Sequence, residues 1–143
     1  MLFGASDSLM AVALTIRFEV FVAEQHVPLD IEIDKYDRNG SNTVHAIVYD
    51  GNQAIAAGRF YEKDSDTVQI GRMAVRKDVR GKGTGRVLLD ALITEARKRG
   101  YHQANLHAQM HAQGFYEKAG FTAIGEEFDD AGIPHIEMQR SIK

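Results

Sequence analysis

Arg80-Gly81-Lys82-Gly83-Thr84-Gly85 lies between a strand-like run, Ile70 to Val75, and a leucine-rich stretch of helical spacing. Strand, glycine loop and helix start together make an anion-binding arrangement. Glycines let the backbone approach a phosphate and turn its N–H groups toward it, while the helix N-terminus and the side chains of Arg80, Lys82 and Arg86 add positive charge. A pyrophosphate fits that chemistry, although a glycine turn beside a solvated basic face carries the same letters. A Walker A loop is excluded because Gly81-Lys82 is followed by Gly83 rather than by Ser or Thr. A dinucleotide fingerprint is excluded as well, since Gly81, Gly83 and Gly85 are evenly spaced and Gln103 stands where a ribose-binding acid belongs.

Further along comes Ala112-Gln113-Gly114-Phe115-Tyr116-Glu117-Lys118-Ala119-Gly120-Phe121. Alone, an aromatic pair on a short helix is more often a core feature than a catalyst. Together, the two segments resemble the GNAT superfamily of N-acetyltransferases. Arg80-x-x-Gly83-x-Gly85 matches its CoA pyrophosphate motif, and residues 112–121 match its A-x-x-F-Y-E-K-x-G-F segment. The stretch Glu19-Val20-Phe21-Val22-Ala23-Glu24-Gln25 with Val27-Pro28, and Ala131-Gly132-Ile133-Pro134-His135, are similar to a branch of small bacterial members, so the resemblance covers nearly the whole chain.

The resemblance implies an α+β fold, a mixed and mostly antiparallel central sheet flanked by helices, with residues 1–143 as a single acyl-CoA N-acyltransferase domain. It implies acetyl-CoA as cosubstrate, an amine acceptor and no metal. The implied cofactor-binding residues are Met73, Ala74, Val75, Arg80, Gly81, Lys82, Gly83, Thr84, Gly85, Arg86, Gln109 and Tyr116. Gln109 stands where many relatives carry an asparagine against the pantetheine. The third main strand is expected to splay through a bulge, freeing backbone groups of Met73 and Val75, with the Met73 N–H as oxyanion donor. Tyr116 is implied as the general acid for the departing thiolate. The chemistry agrees, because a thiol titrates at about 8.5 and a phenol at about 10, so the hydroxyl can donate as sulfur takes on charge.

An amine acceptor is protonated at neutral pH and must lose a proton before it attacks. Many relatives use a glutamate on the third strand, but alignment on Ala74-Val75 puts Gln69 there, which is no base. The candidates are Glu32, Asp34, Glu126, Glu127, Asp129 and His135. His135 suits best, with an ordinary pKa of about 6.5, although a histidine beside Pro134 also has the option of satisfying a loop carbonyl. Asp30, Glu32, Asp34 and Asp37 could draw in a cationic amine, but such a charge run reads first as a solvated face. His107 and His111 have i, i+4 spacing without the glutamate of a zinc protease, and a strand-to-helix break is expected between them. A calcium loop centred on Gly40 fails at Lys35 and Ala46.

The elements that must position these groups follow from periodicity. Ser6-Asp7-Ser8 offers helix-capping chemistry to an apolar stretch running through Val22 toward Pro28, a helix or bent helix pair, and residues 30–42 read as a long loop. Strands are expected at Val44 to Tyr49, Ala54 to Glu62 and Thr67 to Val75, with Asp50-Gly51-Asn52-Gln53 as a hairpin turn. Leu88, Leu89, Leu92, Ile93 and Ala96 mark a helix stopped by Gly100. A strand at Gln103 to Ala108, a short helix at Ala112 to Ala119 and strands at Phe121 to Phe128 and His135 to Arg140 complete the order. A short strand at Leu2 to Gly4 could open it.

Composition is ordinary for a globular chain of 143 residues, 44% hydrophobic and 26% charged. With no cysteine there is no disulfide, thiolate metal site or cysteine nucleophile, which favours direct acyl transfer. Met10 to Ile16 is too short to span a bilayer and follows no basic region, so a cytoplasmic protein without a membrane partner is expected. A net charge of −3 argues against a nucleic-acid partner. Charge is nonetheless uneven: Arg76, Lys77, Arg80, Lys82 and Arg86 face only Asp78 in that segment, which calls for an anion. A non-catalytic CoA-sensing or partner-binding module on the same fold is the rival reading. Acceptor, acyl-chain preference and any homo-oligomer are not encoded in a pattern.

Overall fold

The computed structural model describes residues 2–4, 7–37 and 42–143. Helix α1 (Asp7–Arg17) runs without interruption into a π-helical segment (Phe18–Glu24), so of the helix or bent helix pair expected, the chain forms one continuous helical run with a changed winding. Its capping position, Ser6, lies outside the described residues. Pro28, which cannot continue a helix but starts one well, precedes α2 (Leu29–Glu32), and a 3₁₀ turn follows at Lys35–Asp37. The segment read as a long loop therefore holds two short helical turns. Burial of its acids against arginines, described below, overrides its weak local preference.

Among the described residues, seven strands form one sheet in the order β1-β2-β3-β4-β5-β7-β6. They are β1 (Leu2–Gly4), β2 (Val44–Asp50), β3 (Gln53–Glu62), β4 (Thr67–Val75), β5 (Gln103–Gln109), β6 (Thr122–Asp130) and β7 (Ile133–Ser141). Of these seven described strands, only β4 and β5 pair in parallel, through the crossover helix α3 (Thr84–Lys98). Helix α4 (Gln113–Lys118) fills the connection from β5 to β6.

Sequence periodicity decides which face each element covers. Leu88, Leu89, Leu92, Ile93 and Ala96 of α3 pack on one face against Ala46, Ala56, Phe60, Val68, Ile70, Leu106 and Met138. On the other face Leu9, Ala13, Ile16 and Val20 pack over Ile47, Ala57 and Ala74. Each fully buried aliphatic side chain contributes about 1.5–3 kcal/mol. Gly100, at φ 94°, ends α3 in the left-handed region that glycine tolerates best.

Two irregularities matter for function. Ala57 pairs with Ala74 and Arg59 with Gly71, so Arg72 and Met73 together oppose Gly58. Arg72 has φ 49°, and this bulge bends β4. At the far end, Ala131 (φ 55°) and Gly132 (φ 78°) make the two-residue β6–β7 turn, whose paired positive φ values suit a tight hairpin.

Candidate active site

Strands β4 and β5 pair from Thr67↔Gln103 to Ile70↔Leu106, and no pairing follows among the described residues. The bulge carries β4 away, and a cleft of about 860 Å³ opens at the divergence. Its walls include Met73 and Val75 of β4, Gln109 of β5 and Tyr116 of α4. One end is the glycine loop; the other is the β5–β7 side. Alternation turns Ala74 the opposite way, into the core beneath α1. Of the residues assigned by resemblance, Ala74 and Lys82 do not line the cleft.

At the loop end, Gly81 (φ 80°) and Gly83 (φ 82°) are left-handed, and Gly83 is the N-cap of α3 with no side chain capping the helix. A Cβ at either position would meet no protein atom within 4 Å, so the backbone conformation, not packing, requires glycine. Gly85, Thr84 and Arg86 complete this end. The uncapped helix terminus presents N–H groups to the cleft. Arg80 is otherwise engaged: its guanidinium grips both oxygens of Glu24 at 2.6 and 2.7 Å, and its Nε donates to the Val75 carbonyl at 2.9 Å. Arg86 bonds Asp90 at 3.0 Å and the Lys118 carbonyl at 3.3 Å.

The Tyr116 hydroxyl lies 3.9 Å from Met73 Sδ across the cleft. Its ring meets Phe115 and Phe121 edge to face, with centroids 5.1 and 6.1 Å away. Burial pushes its pKa up to about 12, which keeps the phenol protonated and ready to donate. Gln109 exchanges amide hydrogen bonds with Gln25, from the end of the π-helical segment, at 2.9 Å. This cross-cleft contact between the end of the first helical run and β5 is not visible in spacing alone.

On the β5–β7 side His135 is buried, and its Nδ1 donates to the Ile133 carbonyl at 2.6 Å. Since a carbonyl only accepts, Nδ1 carries the hydrogen of that bond. Gln69 lines the same region as a buried amide. The acids behave differently from the expected solvated face. Glu32 and Asp37 are buried around Arg17, itself 1% exposed, with Arg17 Nε to Glu32 at 2.7 Å and Arg17 Nη1 to Asp37 at 2.6 Å. Arg59 bonds Asp34 at 2.7 Å and Asp37 at 2.9 Å, and Arg72 reaches Glu32 at 3.2 Å. Three guanidiniums thus neutralise three carboxylates. Buried arginines Arg17 and Arg59 were the missing information, for neither stands beside the acids in sequence. The Asp30 side chain lies outside the described residues. Glu126, Glu127 and Asp129 do not line the cleft, Asp129 instead accepting the Gly132 N–H at 3.2 Å.

Sequence spacing treated His107 only as half of a metal pair. It lines the cleft, its side chain is 46% exposed, and burial of the rest lowers its pKa. The period-2 alternation with Gln109 was the signal that could have placed it there. His111 also lines the cleft but follows the break after Gln109, in a 3₁₀ turn at Met110–Ala112. No group of three or more histidines and acids is arranged for a metal among the described residues.

The sequence model of the acetyltransferase (GNAT) domain matches residues 9–142. This chain belongs to the GNAT acetyltransferase family. YjcF of Bacillus subtilis, an uncharacterized N-acetyltransferase by name, is 40% identical over 129 residues, or 90% of this chain and 89% of that protein. A crystal structure from Lactobacillus plantarum superposes with a TM-score of 0.91 at 30% identity, covering 99% of this chain and 97% of the other. An aminoglycoside 6'-N-acetyltransferase crystallised with coenzyme A shares the GNAT fold, with a TM-score of 0.75 at 14% identity, over 100% of this chain and 98% of that one.

Proposed function

We propose that this GNAT protein is an N-acetyltransferase that moves an acetyl group from acetyl-CoA directly to a primary amine. One observation carries the reading. The uncapped, glycine-lined N-terminus of α3 and the Tyr116 hydroxyl open onto the same cleft, at the divergence of β4 and β5. An anion site and a proton donor on one cleft suit a phosphate-bearing thioester. Acetyl-CoA supplies the activated acyl group.

The residues present fit such a group. Gly81, Gly83, Thr84, Gly85 and Arg86 offer N–H groups and positive charge to the pyrophosphate, and the free edge of β4 at Met73 and Val75 accommodates the pantetheine. Gln109 lies alongside it. The Met73 N–H polarises the acyl oxygen. Tyr116 donates its proton to the sulfur as the C–S bond breaks. His135, the base candidate singled out by sequence, spends Nδ1 on the Ile133 carbonyl, while Glu32 is held by Arg17 and Arg72.

Calorimetric titration with acetyl-CoA, with CoA, ATP and NAD as controls, tests the reading. Selective binding of acetyl-CoA and CoA, together with amine-dependent thiol release, supports it. Binding without thiol release toward any amine favours the sensing module, a reading motivated by Gln69 standing where a strand glutamate is usual. Competition by ATP or NAD would sink both.

A further inference from the structure

Resting on the acetyltransferase reading above, we propose that His107 is the catalytic residue that takes the proton from the acceptor's ammonium group. Position comes first. His107 is the residue directly after Leu106, the last on β5 to pair with β4, so it stands at the mouth of the splay. Its neighbours in sequence, Leu106 and Ala108, face the α3 core, and alternation turns His107 to the opposite face, away from Tyr116 and α4. A base on one face and the proton donor Tyr116 on the other are what direct transfer through the splay requires.

Surroundings come second. The His107 ring meets the edge of Phe128 at 5.0 Å, and Phe128 stacks on His135 at 5.9 Å, so an aromatic ring holds both imidazoles. Glu137 Oε2 lies 3.9 Å from His107 Nε2, and Asp130, His135 and Lys63 are the other charged or titratable groups that act on it. Burial outweighs the two carboxylates, lowering its pKa from 6.5, so the ring is neutral at pH 7. The carboxylates stabilise the imidazolium once the proton arrives. His135 is 8% exposed, pairs with Gln109 one strand further from the splay and spends Nδ1 on a carbonyl, so it braces Phe128 behind the reacting base.

The step balances without any further reactant. The ammonium gives one proton to His107, and the free amine forms the N–C bond. The C–S bond breaks, sulfur takes the Tyr116 proton, and the second amine proton restores Tyr116. His107 releases its proton to solvent, leaving an amide and a thiol.

The test compares two nucleophiles on wild-type protein, His107→Gln and His135→Gln, with acetyl-CoA affinity measured in each. Methylamine is protonated at pH 7 and needs the base; hydroxylamine is uncharged and does not. H107Q should lose about 100-fold in kcat/KM with methylamine, far less with hydroxylamine, and keep its acetyl-CoA affinity. H135Q should lose less than H107Q with methylamine. Equal losses for both nucleophiles, or the selective loss in H135Q instead, overturn the assignment. Wild-type protein that binds no acetyl-CoA overturns the acetyltransferase reading itself. An NMR titration gives a readout free of turnover: the ring signals absent from H107Q should titrate below 6.5 in wild-type protein, and a His107 pKa above 7 overturns the proposal.

Discussion

Arg80 and Glu24 form a two-pronged ion pair across the loop end of the cleft, joining the π-helical end of the first helix to the loop before α3. Arginine matched to a phosphate motif is thus held by a carboxylate, which lowers the Glu24 pKa through that hydrogen bond. A pyrophosphate bound beside the glycine loop, as proposed, would compete with Glu24 for Arg80 and be repelled by it. Replacing Glu24 with Gln should tighten acetyl-CoA binding about two- to fivefold at low salt, since exposed pairs are worth only about 0.2–1 kcal/mol. The gain should shrink as salt screens the charges. Weaker binding in calorimetry would mean that Glu24 positions Arg80 for the ligand.

Tyr116 gives a prediction with two separate readouts. Phenylalanine in its place keeps the packing against Phe115 and Phe121 and removes only the donor. Turnover should fall about 100-fold or more while acetyl-CoA affinity stays within about twofold. Because burial pushes the phenol up to about 12, it stays protonated through the ordinary assay range and contributes no basic limb to the wild-type profile below about pH 10. Unchanged turnover in Y116F removes the residue from the mechanism.

Much of this arrangement was legible in the letters because it is local. Thr67–Val75 and Thr84–Lys98 follow from periods of two and 3.6, and the glycines at 81 and 83 announce a left-handed backbone. What could not be read was long-range. Glu32, Asp34 and Asp37 look solvated until Arg17, Arg59 and Arg72, from three other elements, fold over them. The break between His107 and His111 was legible and ruled out a metal pair, but the face of β5 that turns His107 into the cleft is set by packing against distant elements. Arg80 looked free because its partner is 56 residues away.

The buried network also carries a pH signature. His45, at 2% exposure beside these ions, has its pKa pushed down to about 4 by burial, against about 6.5 when unfolded. Between those values the unfolded chain binds the extra proton, so stability is full above about 6.5 and is lost as pH falls toward 4. The loss is about 3 kcal/mol at most, at about 1.4 kcal/mol per pH unit. Asp37, held well below the usual carboxylate range with Arg17 and Arg59 offsetting its burial, adds loss only below about pH 4. Glu32, raised by burial, acts in the opposite sense above its ordinary value. Urea unfolding at pH 7 and pH 4.5 should show a smaller difference in His45→Gln than in wild-type protein. An equal difference would assign the slope to other groups.

Gly58 connects the core to the cleft. A Cβ there would lie 3.0 Å from Leu92 Cδ1, 3.3 Å from Leu88 Cδ2 and 3.3 Å from Met73 Cγ. Only a residue without a side chain lets α3 sit this close to the sheet opposite the bulge at Arg72 and Met73. Valine in its place crowds a fully buried leucine pair and should cost about 1–3 kcal/mol in urea unfolding. Because Met73 is the third atom met and faces the Tyr116 hydroxyl, the same change should weaken acetyl-CoA binding, which a purely packing defect away from the cleft would leave alone. Truncating Leu92 to Ala removes the nearest clash. The double variant Gly58→Val with Leu92→Ala should therefore be more stable than the sum of the single losses predicts, by about 0.5 kcal/mol or more. Strict additivity would place the cost of valine in the backbone of β3 and not in its contact with α3.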